Sequence, residues 1–256
     1  MRLLPSARPR QGLLAVTILA AALTLSACSR SETKRPTSSV EIQDFLARIT
    51  TAMEELLSVH VEIETVVKYR ERETLPLWLS YAEADIELGG DFLSKGRTER
   101  DGQVIESGEQ RNVDGKVYRR ESELAPWAVE DREVPEGTNS FLIESFPLFV
   151  KVLDPTILSI DFDDRDGEEV FRITAGNAGG IRSDYLRVWV GIEDLLIRES
   201  RSEKPATRGS VISTTGKALL SEEEADDAVM TNVWRFSHFN EPVEVEAPEV
   251  VTPNEE

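Results

Sequence analysis

The sequence predicts an α+β fold, a strongly curved antiparallel half-barrel of about ten strands with helices covering its concave face. Most of the chain consists of stretches in which apolar and polar residues alternate, as they do in strands that have one buried face. One amphipathic helical stretch precedes them. Asp-Gly pairs separate several of these stretches, and such pairs favour two-residue hairpin turns. Short turns favour antiparallel neighbours, so we expect one large twisted sheet.

The amphipathic helix is predicted from about Val40 to Leu57. Ser38 and Glu41 have the spacing of a capping box at its start, in which each side chain accepts a hydrogen bond from the other residue's backbone N–H. Apolar residues then recur every three or four positions, so they share one face of the helix. They are Ile42, Phe45, Leu46, Ile49, Met53, Leu56 and Leu57.

The strands are predicted from the alternation and from the turn residues between them. Asp101-Gly102, Asp114-Gly115 and Asp166-Gly167 are expected hairpin turns, and Glu193-Asp194 can also turn the chain. The acidic run from Ser221 to Asp227 is expected to be a solvated loop. The strands are expected at Val59–Tyr69, Ala82–Leu88, Phe92–Arg100, Gln103–Val113, Lys116–Arg120, Ile157–Asp163, Glu168–Ala175, Asp184–Ile192, Leu195–Ser202, Ser210–Leu220 and Val229–Phe239.

A second apolar stretch interrupts the series of strands. It runs from Phe141 to Leu153, is apolar nearly all round, and contains Pro147, which would kink or interrupt a helix. A helix that covers a sheet needs only one apolar face. The stretch is therefore either a helix buried between the sheet and a loop, or a mobile lid whose extra apolar side chains touch the acyl tails of a bound lipid.

The first 28 residues are built like a secretory signal that ends in the only cysteine of the chain. Arg2, Arg8 and Arg10 form a basic region, and Gly12–Leu25 is an apolar run shorter than the roughly 20 residues of a membrane-spanning helix. The sequence Leu-Ser-Ala-Cys that ends at Cys28 resembles the lipobox of bacterial lipoproteins. The resemblance implies cleavage before the cysteine and acylation of its thiol. The alternative is an ordinary signal peptide followed by an unmodified thiol.

Four segments follow from this interpretation. Residues 1–27 are a lipoprotein signal peptide, 28–39 a flexible tether, 40–248 the folded domain, and 249–256 a disordered acidic tail.

The formal net charge is −19, and loss of the three arginines in the signal makes it −22. That charge argues against nucleic acid as a partner and against adsorption to anionic lipid. Membrane attachment would depend on acyl chains, which contribute about 0.8 kcal/mol for each buried methylene.

No catalytic, metal or cofactor site is predicted. His60 and His238 are the only histidines, and each lies in a strand pattern without the sequence signature of a zinc site or a Ser-His-Asp triad. The acidic run Asp161–Gly167 fails the EF-hand spacing and is expected to be a solvated turn. The glycine-rich run Gly176–Gly180 lacks the strand and helix that flank a phosphate-binding loop, so it is expected to be an ordinary loop.

Several segments together resemble the LppX/LprA/LprF/LprG lipoprotein family, whose fold is similar to that of the LolA and LolB lipoprotein carriers. The resemblance covers most of the mature chain, although none of its motifs is a catalytic signature. It is carried by the lipobox, Val59–Ile63 after the helix, Asp114–Tyr118, Leu186–Gly191 with Leu195–Arg198, and Phe236–Val243 with its Phe-x-x-Phe-x-Glu-Pro-Val pattern.

The resemblance implies that the volume between sheet and helices accepts the acyl chains of lipids, glycolipids or lipoproteins. We expect a non-enzymatic lipoprotein, anchored on the extracytoplasmic side of a bacterial membrane, that carries such a guest across the cell envelope. An anchored scaffold or sensor that docks an envelope protein is the alternative. The residues expected to line the cavity, each of which could equally be core, are Phe45, Ile49, Met53, Phe146, Phe149 and Trp234.

Overall fold

The computed structural model describes residues 34–70, 76–88, 90–130, 157–176, 185–210 and 220–250. The chain divides into two units, Met1–Arg35 and Pro36–Glu256, and the helices and strands below all belong to the second. The helices are α1 (Ser39–Glu54), a 3₁₀ turn (Arg208–Ser210) and α2 (Glu222–Asp226). The strands are β1 (Ser58–Tyr69), β2 (Trp78–Glu87), β3 (Phe92–Arg100), β4 (Gln103–Val113), β5 (Lys116–Arg120), β6 (Ala128–Glu130), β7 (Ile157–Arg165), β8 (Glu168–Gly176), β9 (Tyr185–Gly191), β10 (Ile197–Pro205) and β11 (Ala228–Ser237).

All eleven strands form one antiparallel sheet in the order β6-β5-β4-β3-β2-β1-β11-β10-β9-β8-β7. Within each half of the sheet, neighbours in space are neighbours in sequence, and the pairing of β1 with β11 joins the halves. The sheet is open, since β6 and β7 lie at its two edges. The predicted α+β class and antiparallel half-barrel are confirmed, with eleven strands instead of about ten.

The hairpin turns lie where the Asp-Gly pairs predict them. Asp101, Asp114 and Asp166 have φ values of 49°, 51° and 53°, and the glycine after each one is also left-handed. This is the geometry of a type I′ turn, whose twist matches that of the flanking strands. The bounds predicted for β3, β4 and β5 therefore agree with the structure.

The first helix begins as its capping box predicts. The Ser38 side chain accepts a hydrogen bond from the Glu41 backbone N–H, and the Glu41 carboxylate accepts hydrogen bonds from the N–H groups of Thr37 and Ser38. These backbone hydrogen bonds stabilise the charged form and lower the pKa of Glu41 from 4.5 to about 2. The helix ends at Glu54, three residues before the predicted end.

The main core lies between α1 and one face of the sheet, which we call the inner face. The buried face of α1 consists of Phe45, Leu46, Ile49 and Met53. Its cluster includes residues from seven adjacent strands, from Ile86 of β2 to Ile160 of β7. A flat row of seven strands is about 29 Å wide, whereas a helix is only about 10–12 Å across. The sheet must therefore curve around α1.

A smaller core forms at the other end of β1 and β11, around Trp78 and Met230. The run Ser221–Asp227, predicted as a solvated loop, contains α2, so that prediction is wrong. Ser221 and Glu224 form a second capping box. Ala225 is buried in the small core, and Arg100 binds Glu224 with an Nη2–Oε1 distance of 2.8 Å. Capping and burial of one side together make this acidic run helical.

Other predictions differ from the structure or lie outside its described part. The three-residue strand β6 was not predicted. Most of the strand expected at Ser210–Leu220 falls on residues 211–219, outside the described residues, although Ser210 itself ends the 3₁₀ turn. The apolar stretch Phe141–Leu153, the signal segment 1–27 with Cys28, and residues 251–256 also lie outside them. Among the described residues, no helix is long and apolar enough to cross a membrane.

Candidate functional site

The inner face of the sheet contains a hollow beside the main core. It has a volume of about 330 Å³ and lies over strands β1 to β5. Apart from Ile63, its inner-face residues are small or polar, in contrast to the large apolar residues that pack under α1 on the other half of the sheet. They are Ile63, Thr65, Ser80, Ala82, Ser94, Gly96, Thr98, Glu106, Gly108, Gln110 and Arg119.

The floor of the hollow follows one row of directly paired residues across the strands. Ile63 pairs with Ala82, Ala82 with Gly96, and Gly96 with Gly108. Because paired residues in antiparallel strands point to the same face, the row has almost no side-chain atoms over β3 and β4. A Cβ at Gly96 would lie 3.4 Å from the Tyr81 carbonyl oxygen, an ordinary contact distance. The empty space at Gly96 is therefore above the sheet and not a tight backbone contact.

The hydroxyl groups on one bank of the hollow have partners within the protein. Thr65 Oγ1 donates to Asn232 Oδ1 at 2.8 Å, and Ser80 Oγ and Thr98 Oγ1 are 3.2 Å apart. Polar groups that already have a hydrogen bond within the protein lose less than unpaired groups when an apolar molecule displaces water from them. This side of the hollow can therefore face an apolar guest although its side chains carry hydroxyl groups.

The hollow continues to the edge where β5 ends. A second hollow of about 400 Å³ shares Glu106, Ser107, Gly108 and Arg119 with the first. β5 ends at Arg120, which pairs with Glu109 of β4. The part of β4 from Gln103 to Gly108 therefore extends past the end of β5. The remaining residues of this second hollow are Val104, Ile105, Arg120 and Glu121, and the two apolar side chains are 58% and 45% exposed. The outer end is thus wide, charged and open to solvent.

The structure separates the residues predicted to line a cavity. Phe45, Ile49 and Met53 are at least 95% buried in the main core under α1. Phe45 makes an edge contact with the Phe171 ring at 4.9 Å, and the Met53 sulfur accepts the Ile197 N–H at 3.3 Å. These three side chains belong to the closed half of the inner face.

Trp234 is half-buried and pairs with Ile63, so it lies next to the inner end of the floor row. Phe146 and Phe149 lie outside the described residues. Sequence reasoning missed the floor because it looked for large apolar side chains. Glycine at positions 96 and 108, and alanine at 82, inside strands are the signals that point to the space above them.

The strongest polar cluster lies on the opposite, outer face of β4 and β5. Glu109 is 6% exposed, and both Arg111 and Arg120 donate to its carboxylate. The two guanidinium groups also lie 4.9 and 4.7 Å from the centre of the Trp127 ring. Burial alone would raise the pKa of Glu109, but the hydrogen bonds from the two arginines hold it below its usual value. Glu109 is therefore charged, and both of its carboxylate oxygens accept hydrogen bonds from arginines of the protein.

The fold brings the two histidines together, although they are far apart in the sequence. The rings of His60 and His238 have their centres 5.4 Å apart, and His60 Nδ1 lies 2.6 Å from Asp85 Oδ1. Among the residues that the structure describes, no three histidine, cysteine or carboxylate side chains are arranged to hold a metal ion. In the run predicted as a solvated turn, residues 161–165 instead belong to β7, and only Asp166-Gly167 turn the chain into β8. Asp163 accepts the Trp189 indole N–H at 2.9 Å.

No model of a known protein family matches the chain, and no curated protein matches its sequence. Solved structures match it by fold. The chain is similar to the lipoprotein LppX of Mycobacterium tuberculosis, with 16% identity over 82% of this chain and 100% of that one and a TM-score of 0.45. It is similar to LprF of Mycobacterium bovis, with 14% identity over 84% and 99% and a TM-score of 0.48.

The chain is also similar to a LolA superfamily protein of Nitrosomonas europaea, with 9% identity over 77% of this chain and 92% of that one and a TM-score of 0.26. LppX and LprF are from the lipoprotein family that the sequence resembles. At these identities the likeness is one of fold, so function has to be inferred from the residues of this chain.

Proposed function

We propose that this protein is a membrane-anchored lipoprotein that binds the acyl chains of a lipid, a glycolipid or a lipoprotein and carries them across the cell envelope. The observation that carries the proposal is the hollow on the inner face of β1 to β5. Half of the inner face is packed against α1, while the other half has a floor of small, half-buried residues. An enclosed protein core would fill that space with larger side chains.

The dimensions and chemistry of the hollow suit an acyl chain. Its volume of about 330 Å³ is within the roughly 300–1,000 Å³ of small-molecule sites. Ile63 and Ala82 supply apolar surface, and the hydroxyl groups of Ser80 and Thr98 bind each other. Transfer needs no covalent step, since a guest held by apolar contacts can leave when a membrane or a receiving protein offers an equivalent surface.

The location follows from the N-terminal segment. Acylation of Cys28 after removal of residues 1–27 would hold the domain on the extracytoplasmic side of a membrane, with residues 28–39 as the tether. This placement brings the hollow near the lipids that it would take up. The anchor is proposed from the lipobox-like sequence alone.

The proposal is tested on the mature chain with Cys28 replaced by serine, purified without detergent. Solvent extracts analysed by mass spectrometry should contain about one equivalent of lipid, and the delipidated protein should take up a fluorescent fatty acid. Ser94→Trp fills the hollow and should lower the uptake. Lys95→Trp places the same side chain on the opposite face of β3 and should leave it unchanged.

A chain that copurifies with no lipid and takes up no fatty acid would rule the carrier out. In that case, recovery of this protein in a defined complex with an envelope protein from the same preparation would favour the scaffold or sensor function instead.

A further inference from the structure

We propose that the row Ile63–Ala82–Gly96–Gly108 is a track for a single acyl chain that lies across the strands, with its methyl end at Ile63 and its polar end at the edge where β5 stops. The position of each residue along the row then sets the length of chain that binds. This inference rests on the proposed function and adds the orientation of the guest and the residues that select its length.

The inner end of the track is closed by large apolar side chains. Ile63 pairs with Trp234 on β11, and Trp234 contacts the Phe236 ring at 6.4 Å between centres. Beyond them lies the main core, in which Phe236 is 3% exposed. A methyl group suits this end because no charged side chain of the hollow lies near Ile63 in the row.

The outer end of the track is polar and open. Gly108 is the last residue of the row, and Glu106, Arg119 and Glu121 lie around it in the second hollow. β5 ends beside this point, so the sheet offers no further strand to cover the guest. The head group of a lipid would remain in water here, where charged side chains of both signs surround it.

The length of the track follows from strand spacing. Gly108 on β4 and Ile63 on β1 are three strands apart, which is about 14 Å at roughly 4.8 Å per strand. Each methylene that the track buries should tighten binding by about fourfold, until the chain reaches the closed end. Affinity should therefore rise with chain length and then stop rising.

Two substitutions shorten the track at different points. Gly96→Val blocks it at β3 and Ala82→Leu blocks it one strand further in. The backbone can accept a side chain at Gly96, since the nearest atoms to a Cβ there are at ordinary contact distances. Binding of octanoate, dodecanoate and hexadecanoate is measured by displacement of a fluorescent fatty acid, with circular dichroism and urea unfolding as folding checks.

In the unmodified chain the affinity should rise from octanoate to dodecanoate and then level off, because an extended hexadecanoate is longer than the track of about 14 Å. In Gly96→Val the rise should stop at the shortest chain, with at least about a tenfold loss for hexadecanoate, and in Ala82→Leu it should stop later. Lys95→Val is the matched control on the outer face of β3, next to Gly96. Its side chain is 52% exposed and 3.8 Å from Glu83, so its loss should change neither folding nor binding by more than about twofold.

The outcomes separate this inference from the proposed function. If the unmodified chain binds none of the acids, the carrier function itself fails. If it binds them and the two folded variants lose affinity equally at every chain length, or not at all, the track is wrong while the carrier stands. The reverse order, with Ala82→Leu stopping the rise before Gly96→Val, would overturn the orientation.

Discussion

The charge on Glu109 is held in place by two arginines on the outer face of the sheet. Arg111 and Arg120 each use two nitrogens on its carboxylate, and both stack on Trp127. Arg111 Nη1 also donates to the Glu246 carbonyl oxygen at 3.0 Å. One buried carboxylate thus ties β4, β5, the loop that carries Trp127, and the C-terminal segment together.

Glu109→Gln should destabilise the fold by about 3 kcal/mol, because it removes the only carboxylate that, among the described residues, pairs with these two largely buried guanidinium groups. Urea unfolding measures the loss. Glu123→Gln is the control, since Glu123 is exposed and offers Arg120 only its backbone carbonyl, so it should stay within about 0.5 kcal/mol of the unmodified chain. Equal stability of the two variants would show that the arginines do not depend on the charge of Glu109.

The same variant should change the dependence of stability on pH. The pKa of Glu109 is lower in the folded state than in the unfolded chain, so the unfolded state binds more protons as the pH falls. Its contribution is present above the ordinary pKa of glutamate and is lost as the pH falls through the lowered value. The free energy of unfolding of Glu109→Gln should therefore fall less steeply on acidification than that of the unmodified chain.

At Gly191 an added methyl group would displace a charged cluster. A Cβ there would lie 2.7 Å from Arg198 Nη2 and still closer to Asp194 Oδ1. Arg198 Nη2 donates to Glu168 and Asp194, both at 2.8 Å. Gly191→Ala should cost about 1–3 kcal/mol of stability as these groups are pushed apart. Gly209→Ala, with no atom near its Cβ, should cost less than about 1 kcal/mol in the same urea experiment.

At the scale of elements, the C-terminal segment 238–250 fastens the link between α1 and β1. Asn240 Oδ1 accepts the Leu57 N–H at 2.7 Å, and the Asn240 N–H donates to the Ser58 carbonyl oxygen at 3.0 Å. Further along, Glu246 meets Arg111 on β4. The segment therefore connects the start of β1 with β4. It also accepts a hydrogen bond from the Leu57 N–H, which lies just beyond the end of α1.

Asn240 combines a side-chain hydrogen bond with a φ of 59°, and two substitutions separate these roles. Asn240→Gly keeps the left-handed backbone accessible and removes only the acceptor, whereas Asn240→Ala loses both. The alanine variant should be about 1 kcal/mol less stable than the glycine variant. Both should speed hydrogen exchange at the Leu57 amide. Unchanged exchange at Leu57 in either variant would contradict the proposed fastening.

Local signals explain which elements the sequence predicts. The bounds of β3, β4 and β5 agree because an Asp-Gly pair sits at each turn between them, and α1 starts where its capping box places it. The second capping box, Ser221 with Glu224, has the same spacing, but an acidic composition suggested a loop. β6 was missed because three residues carry too little alternation to detect. Its pairing with β5 depends on contacts such as Trp127 with two arginines, which only the folded chain brings together.

The hollow is the part of the molecule that a residue pattern predicts least. A cavity is defined by missing atoms, and Ala82, Gly96 and Gly108 form one only because the register of two strand pairs, β2 with β3 and β3 with β4, aligns them. Cavity residues predicted from size, such as Ile49 and Met53, turned out to lie in the closed core. Whether they also touch a guest remains a prediction.

At the scale of the whole folded unit, the two faces of the sheet have opposite chemistry. On the outer face, Arg235 lies between Glu62, Glu64 and Glu199, at 3.8, 3.7 and 3.6 Å. Each of these exposed ion pairs contributes little to the free energy of folding. Together their opposite charges compensate one another, and they make this part of the outer face polar. Among the described residues, the large apolar clusters lie on the inner face, which is therefore the side that suits a hydrophobic guest.

Net charge and anchoring lead to the last prediction. The mature chain would carry a net charge of −22, so an anionic membrane would repel it, and we propose that acyl chains at Cys28 hold it there. Cys28→Ser should therefore move the protein from the membrane fraction to the soluble envelope fraction. Ser29→Ala, which keeps the cysteine and changes the next residue, should stay with the membrane.

The ionic strength of the wash distinguishes the two modes of attachment. If Cys28 is acylated, the unmodified protein should stay on the membrane at low and high salt alike, because burial of methylene groups does not depend on charge screening. A Cys28→Ser protein that stays on the membrane at low salt and leaves at high salt would show an electrostatic contact that the net charge argues against. One that stays under both conditions would show a hydrophobic contact elsewhere in the chain, and the anchor at Cys28 would then be wrong.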